Sequence, residues 1–155
     1  MSNMGKIYRI EMKAMKYKNL RYGSNYPAQC PPKDCYLPNN EVVYRACKAP
    51  VFDKNGNLNM ENFEPTCEDK KRKFPKKRIC YSKALSFFLT PESCLNMLID
   101  FPQNGNKIME IKLHKNSGYF RQTGKNENHY SLWDLSSPTI CESIGKDWKI
   151  VVKWG

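Results

Sequence analysis

The seven residues from Lys107 to Leu113 constrain the fold most. Ile108, Glu110 and Lys112 alternate with Met109, Ile111 and Leu113. A period of two is the mark of a strand with one face on a core and the other toward water. A second strand is predicted over Glu41 to Cys47, where Val42, Val43 and Tyr44 supply β-branched and aromatic side chains before Pro50 closes the run. A last strand is centred on Ile150, Val151 and Val152 between Trp148 and Trp154. Weaker signals add a strand over Lys6 to Met12, continued or turned into a helix at Ala14 and Met15, and one over Ile79 to Leu89.

Thr90 followed by Pro91 and Glu92 reads as an N-cap, a first-turn proline and a carboxylate at the positive end of the helix dipole. A helix is therefore expected from Pro91 to about Asp100, with Leu95, Leu98 and Ile99 on one face, stopped by Phe101-Pro102 and Asn104-Gly105. Residues 22–40 hold four prolines, one glycine and three asparagines, a turn-rich wrap. Asn55-Gly56 marks a tight turn. Gly118 and Gly124 bracket a short segment. With no internal repeat and no linker, the expectation is α+β: a single domain over residues 1–155, a mostly antiparallel sheet of about five strands, one or two helices and long irregular loops.

At 155 residues a core can form without a metal or disulfide staple. No apolar run reaches the length of a membrane span, and the N-terminus leads into no apolar leader, so a soluble, cytoplasmic protein with no membrane partner is expected. The seven cysteines are odd in number, and reduced thiols are expected. The nearest pair, Cys30 and Cys35, lies outside the usual spacing of a zinc knuckle, so no metal site is assigned.

The charge is localised. Lys70, Lys71, Arg72, Lys73, Lys76, Lys77 and Arg78 carry seven of the net +11 within residues 70–78, broken only by Phe74 and Pro75. Clustered cations suit a phosphate backbone, from which they release counterions. The same composition fits a solvated loop, a nuclear-import signal or a contact for an acidic protein partner. A second basic zone, Lys13, Lys16, Lys18 and Arg21, is interleaved with Tyr17, Tyr22 and Tyr26.

Two histidines are present. His114 follows a strand and reads as a surface side chain. His129 sits in Asn126-Glu127-Asn128-His129-Tyr130-Ser131-Leu132-Trp133, a mixture of polar groups that is costly to bury without partners; the stretch is either an exposed loop or a built site. Acid–base chemistry, phosphate contact and base stacking on Tyr130 or Trp133 are open to it. Arg45, within an apolar strand, points either to solvent or into an anion-binding cleft. Tyr81, Ser82, Ser86 and Glu110 could share that cleft.

Tyr44-Arg45, then Tyr81-Ser82, then an acidic residue (Glu92 or Glu110) resembles the layout of ADP-ribosyltransferase-like folds, including the RES-type toxins that consume NAD. The resemblance spans residues 41–113. It implies that Arg45 grips dinucleotide phosphates, that Tyr81 and Ser82 shape the nicotinamide pocket, and that Glu110 or His129 acts at the ribose, with NAD as substrate. The Ser-Thr-Ser step and the paired Glu-x-Glu of that family have no counterpart in this sequence.

Two functions are thus expected as alternatives. The first is a small basic protein binding nucleic acid, RNA or single strands before duplex DNA, through residues 70–78, with a pocket around Arg45, His129 and Tyr130 that recognises or processes a nucleotide and needs no cofactor. The second is the NAD-consuming toxin or effector. Cleavage of RNA without a metal would need a second acid–base group beside the histidine, drawn from Lys, Tyr or Glu110.

Overall fold

The computed structural model describes residues 18–154. Six strands form one antiparallel sheet: β1 (Val42–Cys47), β2 (Leu85–Phe88), β3 (Lys107–Lys112), β4 (Gly118–Gln122), β5 (His129–Asp134) and β6 (Trp148–Lys153). Their spatial order is β4-β5-β2-β1-β3-β6. Three helices accompany them, α1 (Ile79–Ser82), α2 (Pro91–Asp100) and α3 (Ile140–Ile144). The fold is α+β, as the alternation and capping signals predict, and β4 and β5 are additional to the expected strands.

The alternation of β3 divides the core. Met109, Ile111 and Leu113 join Val43, Cys47, Phe63, Leu85, Phe87, Phe120 and Leu132 on one face, closed by Ile140 and Ile144 of α3. Ile108 turns to the other face, where it packs with Phe88 and with Cys94 and Leu98 of α2. Burying a side chain such as Leu98 contributes roughly 2 kcal/mol. Helix α2 starts as predicted: the Thr90 hydroxyl accepts the Ser93 N–H and Pro91 occupies the first turn. Such a cap is worth about 1 kcal/mol. At α3, Thr139 and Glu142 exchange the reciprocal bonds of a capping box.

Three expectations change. Residues 79–89 are not one strand: Ile79–Ser82 coil into α1, where the Ser82 hydroxyl donates to Ile79 O at 2.6 Å, and β2 begins at Leu85. Of the two readings of the stretch from His129, the exposed loop is overturned: it is β5, paired with both β2 and β4. Finally, the thiols are not all reduced, because Cys30 and Cys80 form a disulfide. Their Cα atoms lie 5.6 Å apart, within the range a bridge spans, because the turn-rich wrap returns the chain beside α1. The expected strand over Lys6 to Met12, Ala14 and Met15, and the cations and tyrosine at 13, 16 and 17 fall outside the described residues.

Strands β1 and β2 part almost at once. They share the single register pair Tyr44–Phe88, whereas β1 and β3 stay paired from Val42 to Cys47. The gap this leaves in mid-sheet is where the site is built.

Candidate functional site: a divided cleft at the β1–β2 gap

Arg45 closes the gap from within. The N–H of Leu89 bonds Asn128 O, so by antiparallel alternation the carbonyl of Ser86 faces β1 and loses its ladder partner where the strands diverge. The guanidinium replaces that partner. Arg45 Nη1 donates to Ser86 O at 2.7 Å, Nε to Asn62 O at 2.8 Å and Nη2 to Glu64 O at 3.4 Å. Its plane lies over the rings of Phe63 and Phe87, at 5.8 and 5.6 Å. Burial pulls Arg45 below its ordinary pKa, but a guanidinium remains charged at any working pH. Three of five donors are thus committed to main-chain carbonyls.

Residues 61–78 pass over the gap and form the outer wall of two adjoining cavities. The first, about 490 Å3, is lined by Arg45, Ser86, Phe88, Met97 and His129 and, from the wall, by Glu61, Glu64, Glu68, Asp69 and Arg72. The second, about 810 Å3, is lined by Arg72, Lys73, Lys77 and Arg78, by Tyr81 and Ser82 of α1, and by Ser86, Thr123, His129 and Ser131 from the sheet. Charge is unevenly shared between them: four cations and no carboxylate line the second, while in the first four carboxylates stand beside three cations, Arg45, Lys48 and Arg72. Tyr22 ties the wall down by donating to Glu68 at 2.6 Å, and Lys83 stands 4.7 Å from the Tyr22 ring.

His129 lines both cavities. Its Nδ1 lies 3.1 Å from Thr123 O and 3.0 Å from Thr123 Oγ1. A carbonyl only accepts, so Nδ1 carries the proton and Nε2 holds the lone pair of the neutral ring. The Thr123 hydroxyl is itself braced by Ser131 Oγ at 2.7 Å, in a pair that is buried. Burial lowers the pKa of His129, against a smaller opposing pull from the Thr123 carbonyl, so the neutral form prevails at pH 7. Among the described residues no hydrogen bond is recorded at Nε2.

The candidate residues therefore divide. Arg45, Tyr81, Ser82 and His129 converge on the cleft, and from the basic run Arg72, Lys73, Lys77 and Arg78 line it, whereas Lys70, Lys71 and Lys76 are exposed outside the two linings. Ser82 presents no usable hydroxyl, since it is spent within α1. Glu110 lines neither cavity. It accepts from Tyr44 Oη at 2.9 Å and stands 3.6 Å from Lys149, because β3 is separated from β2 by β1. Two stacking candidates are corrected. Trp133 is fully buried and donates to Cys80 O at 3.0 Å. Tyr130 stacks on Phe120 at 4.8 Å, on the core side that strand alternation sets opposite His129.

The described part of the second basic zone is structural as well. Arg21 donates to Asp134 at 2.9 Å and to Phe63 O at 2.6 Å. Missed in the sequence were Thr123 and Ser131, which orient the histidine, and Arg121, 3.5 Å from Tyr81 Oη and 3.0 Å from Asp34. An alternation of Tyr119, Arg121 and Thr123 against Phe120 and Gln122 was the available signal.

No protein-family model, curated protein or solved structure matches this chain. The site has to be read from its own geometry. Among the described residues no cluster of His, Cys, Asp or Glu is arranged to hold a metal, and no helix is long and apolar enough to cross a membrane.

Proposed function

We propose that this protein binds single-stranded nucleic acid, RNA in preference to DNA, along the cationic half of the cleft. The supporting observation is the unmixed positive lining of the second cavity: Arg72, Lys73, Lys77 and Arg78 share it with Tyr81 and His129, with no carboxylate among its lining residues. Those cations take the phosphates. Tyr81, with 41% of its surface exposed, offers a ring for a base, and the 2′-hydroxyl meets the polar groups of the sheet. In the neighbouring cavity the carboxylates offset Arg45, Lys48 and Arg72, so a phosphate chain is attracted there less than to this half.

The test is binding of a short mixed-sequence RNA followed by fluorescence anisotropy across a salt series. Affinity falls steeply with salt, and Lys73→Gln with Lys77→Gln reduces the log–log slope by about one per lost phosphate contact. Absence of binding at about 50 mM salt overturns the reading.

The NAD-consuming alternative keeps Arg45 but needs its carboxylate from the first cavity, where Glu61 and Glu64 stand in place of Glu110. Release of nicotinamide on incubation with NAD, lost in Glu64→Gln, is the result that favours it. A cytoplasmic site of action carries a condition: the Cys30–Cys80 pair must be held oxidised there or work reduced. Alkylation of the protein quenched in cells reads its state.

A further inference from the structure

We propose that the cationic cavity cleaves the RNA it binds, without a metal, with His129 as general base and Tyr81 as general acid. This inference rests on the nucleic-acid reading above. It starts from the orientation of His129. Nδ1 is turned onto the Thr123 carbonyl, and the Thr123 hydroxyl is held by the buried Ser131 hydroxyl. Two buried hydroxyls and a carbonyl that fix one imidazole make the arrangement of a base positioned by a third group. The opposite ring nitrogen, Nε2, is the basic one, and His129 lines the cavity that Lys73, Lys77 and Tyr81 line.

Tyr81 supplies what one histidine cannot. Its Oη has an Arg121 guanidinium nitrogen 3.5 Å away, a contact that holds the phenol in place. Its hydroxyl is otherwise uncommitted among the described hydrogen bonds, whereas that of Ser82 is not.

The step balances within the substrate and these groups. Nε2 takes the proton of a ribose 2′-hydroxyl, the 2′-oxygen bonds to the adjacent phosphorus, and the phosphorus–O5′ bond breaks as O5′ takes the phenolic proton of Tyr81. Lys73 and Lys77 neutralise the charge that gathers on the non-bridging oxygens. The products are a 2′,3′-cyclic phosphate and a 5′-hydroxyl. The imidazolium then gives its proton to solvent and the phenolate takes one up, which restores both groups. Deoxyribose offers no nucleophile, so DNA is bound without being cut.

The experiment incubates the full chain with a 5′-labelled mixed-sequence RNA in excess EDTA, with the all-2′-O-methyl strand in parallel. The expected result is fragments ending in cyclic phosphate from the first and none from the second. His129→Gln lowers the rate roughly 10²- to 10⁴-fold, with RNA affinity held within a few fold. Tyr81→Phe, an exposed change that removes one oxygen, lowers it by about 10²-fold. Glu110→Gln, outside the cleft, cleaves as wild type. RNA that binds in the salt-dependent manner and stays intact overturns this inference alone, as does undiminished cleavage by both folded variants. RNA that does not bind overturns the nucleic-acid reading with it.

Discussion

Arg45 donates to the main-chain oxygen of Ser86 at 2.7 Å across the point where β1 and β2 separate. A side chain thereby does the work of a missing ladder bond, and two further carbonyls, of Asn62 and Glu64, hang on the same guanidinium. Arg45→Met keeps the bulk over Phe63 and Phe87 but orphans these acceptors. It is expected to destabilise by about 1.5–3 kcal/mol, the worth of the part-buried charge-assisted bond to Asn62 O, since water can replace the guanidinium at the exposed Ser86 and Glu64 carbonyls. Arg45→Lys recovers only part, because an ammonium cannot match the planar fork. Urea melts measure both, and a loss below about 1 kcal/mol for Met would show that the wall is held by other contacts.

Asp134 is fully buried, with Oδ2 on Arg21 and Oδ1 without a hydrogen-bond partner among the described residues. Burial pushes its carboxyl up to about 6, against the pull of the Arg21 guanidinium. The unfolded value is near 3.9. With the folded pKa raised, the folded chain holds the proton more tightly. The stabilisation from this group is full below about pH 4 and lost as pH rises through about 6. Asp134→Asn cannot titrate, so the wild-type-minus-variant stability should fall between those values and level off above them. A difference that stays flat with pH would refute the shift.

The Cys30–Cys80 bridge closes a loop of 50 residues of sequence separation and fastens α1, with Tyr81, to the N-terminal wrap. On the chain-entropy account such a loop contributes up to about 4 kcal/mol. Reduction, or Cys30→Ser with Cys80→Ser, should lower the melting midpoint accordingly. In denatured protein five thiols should alkylate before reduction and seven after it. Seven from the start would mean that the pair is not bridged.

What could be read from the sequence was what local physics dictates. The alternation of β3, the β-branched run of β1 and the Thr90-Pro91 start of α2 each carry their signal within a few residues, and each element lies where that signal puts it. Strand β5 was hidden because its polar positions are satisfied by partners distant in sequence or on another strand. His129 and Ser131 alternate with Tyr130 and Leu132 as a strand requires, but both meet Thr123 of the β4 turn and so read as a loop in isolation. The convergence of Arg45 and His129 is a property of topology: β2 lies between β1 and β5, and its early departure from β1 opens the space both side chains line. Trp133 was misread for the converse reason. Its indole N–H finds Cys80 O, 53 residues away, and so the ring is buried without cost.

Thr123 and Ser131 offer the sharpest test of whether the polar chain behind His129 acts as a unit. Their hydroxyls are 2.7 Å apart in a buried setting, so removing Thr123 leaves the Ser131 hydroxyl without this partner, whereas after removal of Ser131 the Thr123 hydroxyl keeps His129 Nδ1 at 3.0 Å. Thr123→Val should therefore cost about 1–3 kcal/mol by stranding a hydroxyl away from water, and Ser131→Ala less. Replacing both removes the bond together with both desolvation penalties, so the double variant should lose less than the sum of the singles. A coupling of about 0.5–3 kcal/mol from the four-way cycle is expected for groups in direct contact. Additive losses would mean that water reaches the pair, and the orientation of His129 would then depend on the Thr123 carbonyl alone.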